Sequence, residues 1–152
     1  MRYGKTIREE YMAKIVCIDD DIDVLETCKL LLTEAGHSVE TATTEKDGLA
    51  KTKEFNPDLI MLDLMMEDIT TGFHLAYNFR SDDVMKFKPI LMLTSINQKP
   101  GANLNPDAEG EFLPVDAFIE KPIRRETLLN SVNALLSLPK EKINVSGRNK
   151  VI

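Results

Sequence analysis

Five polar side chains directly follow short apolar runs of the sequence. Asp19 and Asp20 come after the first run, Asp63 after the third, Thr94 after the fourth and Lys121 after the fifth. Short continuous apolar runs are typical of strands that are buried on both faces of a parallel sheet. Ligands of an open parallel sheet bind at the carboxyl ends of its strands, so these five side chains are candidates for one site.

The chemistry of such a site would centre on three carboxylates. Asp19, Asp20 and Asp63 would repel one another unless a cation or a proton intervened. Oxygen ligands suit a hard divalent ion, and a site that combines few carboxylates with water and phosphate oxygens suits Mg²⁺. A carboxylate can also be the nucleophile in phosphoryl transfer, and Lys121 and Mg²⁺ would then neutralise the developing charge from two sides.

The apolar pattern predicts the elements that position these side chains. Strands are predicted at residues 15–18, 38–42, 59–62, 89–93 and 115–119, with amphipathic helices at 22–35, 44–55 and 72–80 and between Pro122 and Pro139. This alternation indicates an α/β fold with a doubly wound five-stranded parallel sheet that helices cover on both faces. We expect the flavodoxin-like strand order 2-1-3-4-5, which places the first and third strands side by side.

Helix ends are also marked in the sequence. Asp21 and Thr44 are the expected N-caps of the first two helices, and Gly36 is the expected stop of the first. Between the fourth and fifth strands, residues 97–114 contain three prolines and two glycines. We therefore expect the fourth helix region to be shortened or replaced by a mobile loop, which is either an order–disorder switch or a passive insertion.

Length and composition indicate one domain. The chain has 152 residues, and we expect an N-terminal extension at 1–13, a domain at 14–138 and a C-terminal tail at 139–152. Met1 and Met12 both remain candidates for the natural start. The net charge of −6 argues against a nucleic acid or a membrane as a direct partner. With two cysteines expected to be buried and unpaired, and no signal peptide or long apolar stretch, we expect a cytoplasmic protein.

Four sequence blocks together resemble the receiver domain of two-component response regulators, as in the chemotaxis regulator. The blocks are IDDD at 18–21, LDLMM at 62–66, LTS at 93–95 and EKP at 120–122. Each block alone is weak, but four in order, over about residues 14–137, are specific. The resemblance implies that Asp63 is the phospho-acceptor. It also implies that Asp20 binds Mg²⁺ directly, that Asp19 binds it through water and that Met65 binds it through its backbone carbonyl.

The resemblance also implies roles around the phosphoryl group. Thr94 corresponds to the hydroxyl that bonds this group, Lys121 to the ammonium that pairs with it, and Phe118 to the aromatic switch residue. The Lys121–Pro122 peptide bond is expected to be cis. The sequence departs from the family at Glu67, where proline is usual four residues after the acceptor.

A receiver of this kind is a phosphorylation switch and not an enzyme with a separate substrate. We expect a stand-alone domain that accepts a phosphoryl group from a sensor histidine kinase or a phosphotransfer protein and acts on a downstream protein. A competing function is that of a small phosphatase of the haloacid dehalogenase-like group. That group uses a second aspartate two residues after the nucleophile, a position that Met65 occupies here. A scaffolding pseudo-receiver is a third function to weigh, and the aspartates at 19–21 could have a purely helix-capping role.

Overall fold

Strands and helices alternate along the chain in the computed structural model, which describes residues 12–66, 71–95 and 114–146. The strands are β1 (Lys14–Ile18), β2 (Ser38–Ala42), β3 (Leu59–Asp63), β4 (Ile90–Thr94) and β5 (Ala117–Glu120). The helices of the described residues are α1 (Ile22–Glu34), α2 (Glu45–Phe55), α3 (Thr71–Ser81) and α4 (Arg125–Leu136), with short 3₁₀ turns at Met85–Phe87 and Lys140–Lys142.

The five strands form one parallel sheet in the order β2-β1-β3-β4-β5, as predicted. The register keeps their carboxyl ends level: Ile18 pairs with Leu62, Asp63 with Leu93, and Thr94 with Glu120. Residues that follow the strands therefore meet at one edge of the sheet. The predicted loop at 97–114 lies outside the described residues, except for Pro114.

Helices bury the sheet on both faces. Because side chains alternate along a strand, Ile15 and Cys17 of β1 join a core cluster with α1 and α4, while Val16 and Ile18 join a second cluster with α3. All residues of β3 and β4 are buried, as expected for central strands covered on both sides. Cys17 and Cys28 are buried free thiols, in agreement with the sequence prediction.

The predicted helix ends are confirmed. The Asp21 carboxylate accepts hydrogen bonds from the backbone N–H groups of Asp23 and Val24, and the Thr44 hydroxyl accepts one from Asp47. Gly36 follows α1 with a φ of 102°, in the left-handed region that favours glycine. These residues determine where α1 begins and ends and where α2 begins.

Two features near β5 differ from the sequence prediction. The strand begins at Ala117 instead of residue 115. At this point the Ile90 N–H donates to the Asp116 carboxylate at 2.8 Å and not to a backbone carbonyl of β5, so regular strand pairing begins later. Ile143 and Asn144, in the predicted tail, are buried, and the Asn144 N–H donates to Asp116 at 2.7 Å. The tail therefore contributes packing to the domain, while the predicted domain boundaries stay predictions.

Candidate functional site

Three carboxylates meet at the carboxyl edge of the sheet. Asp19 and Asp20 directly follow β1, and Asp63 is the last residue of the neighbouring β3. One oxygen from each lies within 4.8 Å of the other two, an arrangement that could hold a metal ion. Asp19 and Asp63 are almost fully buried, while Asp20 is exposed and leaves the group accessible from solvent.

The crowding of these carboxylates changes their acidity. Burial, followed by the negative charge of Asp19, raises the pKa of Asp63 from 3.8 to about 6, against the opposing effect of Lys121. The pKa of Asp20 is also raised, first by burial and then by Asp19. The site thus favours a bound cation or proton, as the sequence predicted from the three aspartates alone.

Lys121 supplies the positive charge of the site. It follows β5, and its Nζ lies 2.9 Å from Asp19 Oδ2 and 3.3 Å from Asp63 Oδ1. Burial alone would lower the pKa of Lys121, but the hydrogen bonds and charges of the two carboxylates outweigh it, and the pKa is raised. The Lys121 N–H donates to the Thr94 carbonyl at 2.7 Å, and the Lys121–Pro122 peptide bond is cis, as predicted.

The remaining predicted residues surround Asp63 less closely. The Met65 N–H donates to Asp63 Oδ1 at 3.4 Å, so the chain after β3 folds back over this carboxylate. Thr94 ends β4 and is buried, with its hydroxyl donating a long hydrogen bond of 3.5 Å to the Ile119 carbonyl. Phe118 is half-buried on β5 and packs against the core cluster that includes Met92.

Neither histidine belongs to the site. His74 is exposed on α3, whereas His37 lies in the loop before β2 and is buried. The His37 Nδ1 accepts the Ala13 N–H at 3.1 Å, and burial lowers the pKa of this imidazole. Sequence reasoning also missed the contact of Gly72 with the backbone of Asp63 and Leu64, although a glycine at the start of a helix was a visible signal.

Three carboxylates and an ammonium group lie together at the carboxyl ends of the strands, where ligands of parallel α/β folds bind. A carboxylate can act as a nucleophile in phosphoryl transfer. Residues 15–133, most of the chain, match the sequence model of the response regulator receiver domain. The chain belongs to this family.

Relatives of this receiver domain include both short and long proteins. It is 31% identical over 121 residues to Protein PilG of Pseudomonas aeruginosa, covering 80% of this chain and 85% of PilG. It is 34% identical over 125 residues to the DNA-binding dual master transcriptional regulator RpaA of Synechocystis, covering 82% of this chain. The chain spans only about half of RpaA, 49% of its length.

Solved structures agree with the receiver assignment. The chemotaxis response regulator CheY4 of Vibrio cholerae superposes with a TM-score of 0.69 at 31% identity, covering 82% of this chain and 98% of that structure. A putative response regulator from Chloroflexus aurantiacus gives a TM-score of 0.71 at 25% identity, covering 83% and 98% of the two chains. Among the described residues, no helix has both the length and the apolar character needed to cross a membrane.

Proposed function

We propose that this receiver accepts a phosphoryl group on Asp63. The observation that carries the proposal is the position of the Asp63 carboxylate, at the carboxyl end of β3, 3.3 Å from the Lys121 ammonium and grouped with Asp19 and Asp20. An oxygen of ionised Asp63 forms the new P–O bond as the P–N bond to a donor histidine breaks, and the electron pair leaves with the imidazole. Because the pKa of Asp63 is about 6, most of the carboxylate is ionised at neutral pH.

The acidic group fits Mg²⁺ as a cofactor. Its oxygens are the hard ligands that this ion prefers, and their mutual repulsion favours a cation. In the proposal Asp20 and Asp63 would bind the ion directly, Asp19 would act through water, and the Met65 backbone carbonyl would be a further protein ligand. Bound Mg²⁺ would neutralise negative charge on the phosphoryl oxygens.

Lys121 and Thr94 have complementary roles in this proposal. Lys121 already pairs with Asp63 and would pair with an oxygen of the phosphoryl group once it is attached. The Thr94 hydroxyl would turn from its long bond with Ile119 to the same group, because a charged acceptor offers a stronger hydrogen bond. Phe118, which is half-buried on the adjacent strand, would then repack as the switch residue.

We further propose that the receiver acts in the cytoplasm, between a histidine kinase or phosphotransfer protein and a downstream protein. The match covers 85% of PilG and 98% of the CheY4 structure, so a receiver makes up most of these two relatives. The net charge of −6 favours a protein partner over DNA or an anionic membrane. The residue two positions after Asp63 is Met65, which offers no carboxylate to protonate a leaving group, so we favour a switch over a phosphatase.

The proposal is tested by incubating the protein with Mg²⁺ and acetyl phosphate and measuring its intact mass. We expect one base-labile phosphoryl adduct, which peptide mapping assigns to Asp63 and which EDTA prevents. Asp83→Ala is the matched control, because the Asp83 side chain is 98% exposed and lies outside the site. A normal adduct on Asp63→Ala would overturn the assignment.

A further inference from the structure

Gly72 lies directly against the backbone of the proposed acceptor. It is the second residue of α3, and a Cβ atom added there would lie 2.5 Å from the Asp63 carbonyl oxygen. The same atom would lie 2.6 Å from the Leu64 carbonyl oxygen and 2.7 Å from Leu64 Cα. These are backbone atoms that cannot rotate away, so any side chain at this position must move either α3 or the residues that follow β3.

The Leu64 peptide is held from two sides. Its N–H donates to the Leu93 carbonyl of β4 at 3.0 Å, and its carbonyl accepts the Gly72 N–H at 3.3 Å. The next residue, Met65, donates its N–H to Asp63 Oδ1 at 3.4 Å. The first turn of α3 therefore holds the short stretch from Asp63 to Met65, in which the Asp63 carboxylate accepts the Met65 N–H.

We propose that Gly72 is a positioning residue for phosphoryl acceptance. By lacking a side chain it lets α3 approach and fix the Asp63–Leu64 backbone, which aims the Asp63 carboxylate at the donor and the Met65 carbonyl at the metal. This inference rests on the proposed function of Asp63 and adds a residue that touches neither the metal nor the phosphoryl group.

A purely structural role for Gly72 is the competing explanation, and the chain offers a matched control. Gly48 is also a buried helical glycine, and a Cβ there would lie 2.7 Å from Cδ1 and 3.0 Å from Cγ2 of Ile18. These atoms belong to a flexible side chain on the α2 face of the sheet, not to the backbone of the acceptor. Gly48→Ala therefore places its Cβ in a similarly short contact in the core, but with atoms that can move, and it does not press on Asp63.

The test compares the full chain with its Gly72→Ala and Gly48→Ala variants. Thermal midpoints report stability, and the rate of phosphorylation by acetyl phosphate at saturating Mg²⁺ reports acceptor geometry. Mg²⁺ titrations followed through the backbone amide signals of residues 63–65 report metal positioning without any reaction. For Gly72→Ala we expect a rate roughly 10- to 100-fold lower, the size of effect that a displacement of about 1 Å produces. We also expect weaker Mg²⁺ binding, while Gly48→Ala keeps both properties whatever its thermal midpoint.

Equal rates and equal Mg²⁺ affinity in Gly72→Ala and wild type overturn the inference. The inference is also overturned if, in both variants, the rate and the Mg²⁺ affinity fall in the same proportion to the decrease in thermal midpoint. Such losses would indicate an effect on packing alone. If Gly72→Ala unfolds, the measurements are repeated at low temperature with an osmolyte, and failure to fold there also overturns the positioning role. If wild type accepts no phosphoryl group, the proposed function fails, but the Mg²⁺ titrations still decide whether Gly72 positions the acidic site.

Discussion

The burial of Asp63 beside Lys121 illustrates that a side chain suited to a reaction can lower the stability of the folded protein. Asp63 is nearly excluded from water beside the buried Asp19, so its ionised form is unfavourable in the metal-free protein. Lys121 contacts both carboxylates and offsets part of this cost. The net negative charge that remains favours the binding of a cation at the carboxyl ends of the strands.

Removing the Asp63 charge should therefore stabilise the metal-free protein. The folded state raises the pKa of Asp63 from 3.8 to about 6, so the stability linked to its protonated form is complete below pH 3.8 and lost as the pH rises through about 6. In EDTA at about pH 7.5, we expect Asp63→Asn to raise the free energy of unfolding by about 3 kcal/mol, with little gain near pH 4. Urea unfolding measures both values, and Asp83→Asn is the exposed control. An equal gain at the two pH values would contradict this electrostatic explanation.

Mg²⁺ binding should distinguish two adjacent aspartates. Asp20 shares the acidic group with Asp63, whereas the Asp21 carboxylate is engaged in capping α1. We expect Asp20→Asn to lower the Mg²⁺ affinity about tenfold, because a site with few carboxylates loses one of its charged ligands. Asp21→Asn should leave the affinity unchanged, since asparagine is also a good N-cap. Isothermal titration or amide shifts give the affinities, and similar values for the two variants would remove Asp20 from the proposed ligands.

At the level of the elements, the sequence carried the features that depend on local pattern. Apolar runs, caps and polar residues at strand ends predicted the sheet, its helices and the meeting of Asp19, Asp20, Asp63 and Lys121. Contacts between distant segments left no local signal. The Asp116 carboxylate accepts the N–H of Ile90, at the start of the neighbouring strand β4. The buried His37 accepts the Ala13 N–H, a contact that depends on how the chain enters β1. Such residues look like ordinary turn or loop residues until the elements are packed.

The link between the starts of β1 and β2 should make stability depend on pH. Only neutral His37 can accept the Ala13 N–H, and burial lowers the pKa of this imidazole from 6.5. Its contribution is therefore complete above about pH 6.5 and is lost as the pH falls from there towards the lower folded-state pKa. We expect wild type to lose more stability between about pH 7.5 and 5 than His37→Gln does.

His74→Gln is the matched control for this pH effect. His74 is exposed on α3 and lies away from the starts of β1 and β2, so His74→Gln shows the effect of replacing a histidine outside this link. The comparison removes contributions from Asp63 and other groups that titrate in the same range, because all three proteins share them. If His37→Gln and wild type have parallel stability profiles, His37 does not link the starts of the two strands.

At the scale of the whole molecule, the two ends of the sheet hold charge in different ways. At the carboxyl edge, three carboxylates share one ammonium group and the site remains open to solvent through Asp20. At the opposite edge, Arg80 and Asp116 form a closed pair 2.8 Å apart, with side chains 3% and 1% exposed. The polar atoms of that pair are engaged in hydrogen bonds, so this edge is suited to holding the fold together and not to binding a ligand.

The Arg80–Asp116 pair ties together segments that are distant in sequence. Arg80 extends from α3 and donates to the carbonyls of Pro114, Lys86 and Lys88. Asp116 accepts the N–H groups of Ile90 and Asn144, which join the start of β4 to the C-terminal tail. One buried pair thus organises the ends of α3, β4, β5 and the tail.

Breaking this pair should be far more costly than breaking an exposed one. Arg80→Met leaves the buried Asp116 carboxylate without its cation and removes the donor to three backbone carbonyls, so we expect a loss of about 3–5 kcal/mol in the free energy of unfolding. Arg125→Met breaks the Arg125–Glu34 pair, whose side chains are 63% and 49% exposed, and should cost less than about 1 kcal/mol. Urea unfolding of both variants provides the comparison. Arg80→Met combined with Asp116→Asn should recover part of the loss in stability, because it removes the uncompensated buried charge. If Arg80→Met costs as little as Arg125→Met, the pair does not organise this end of the domain.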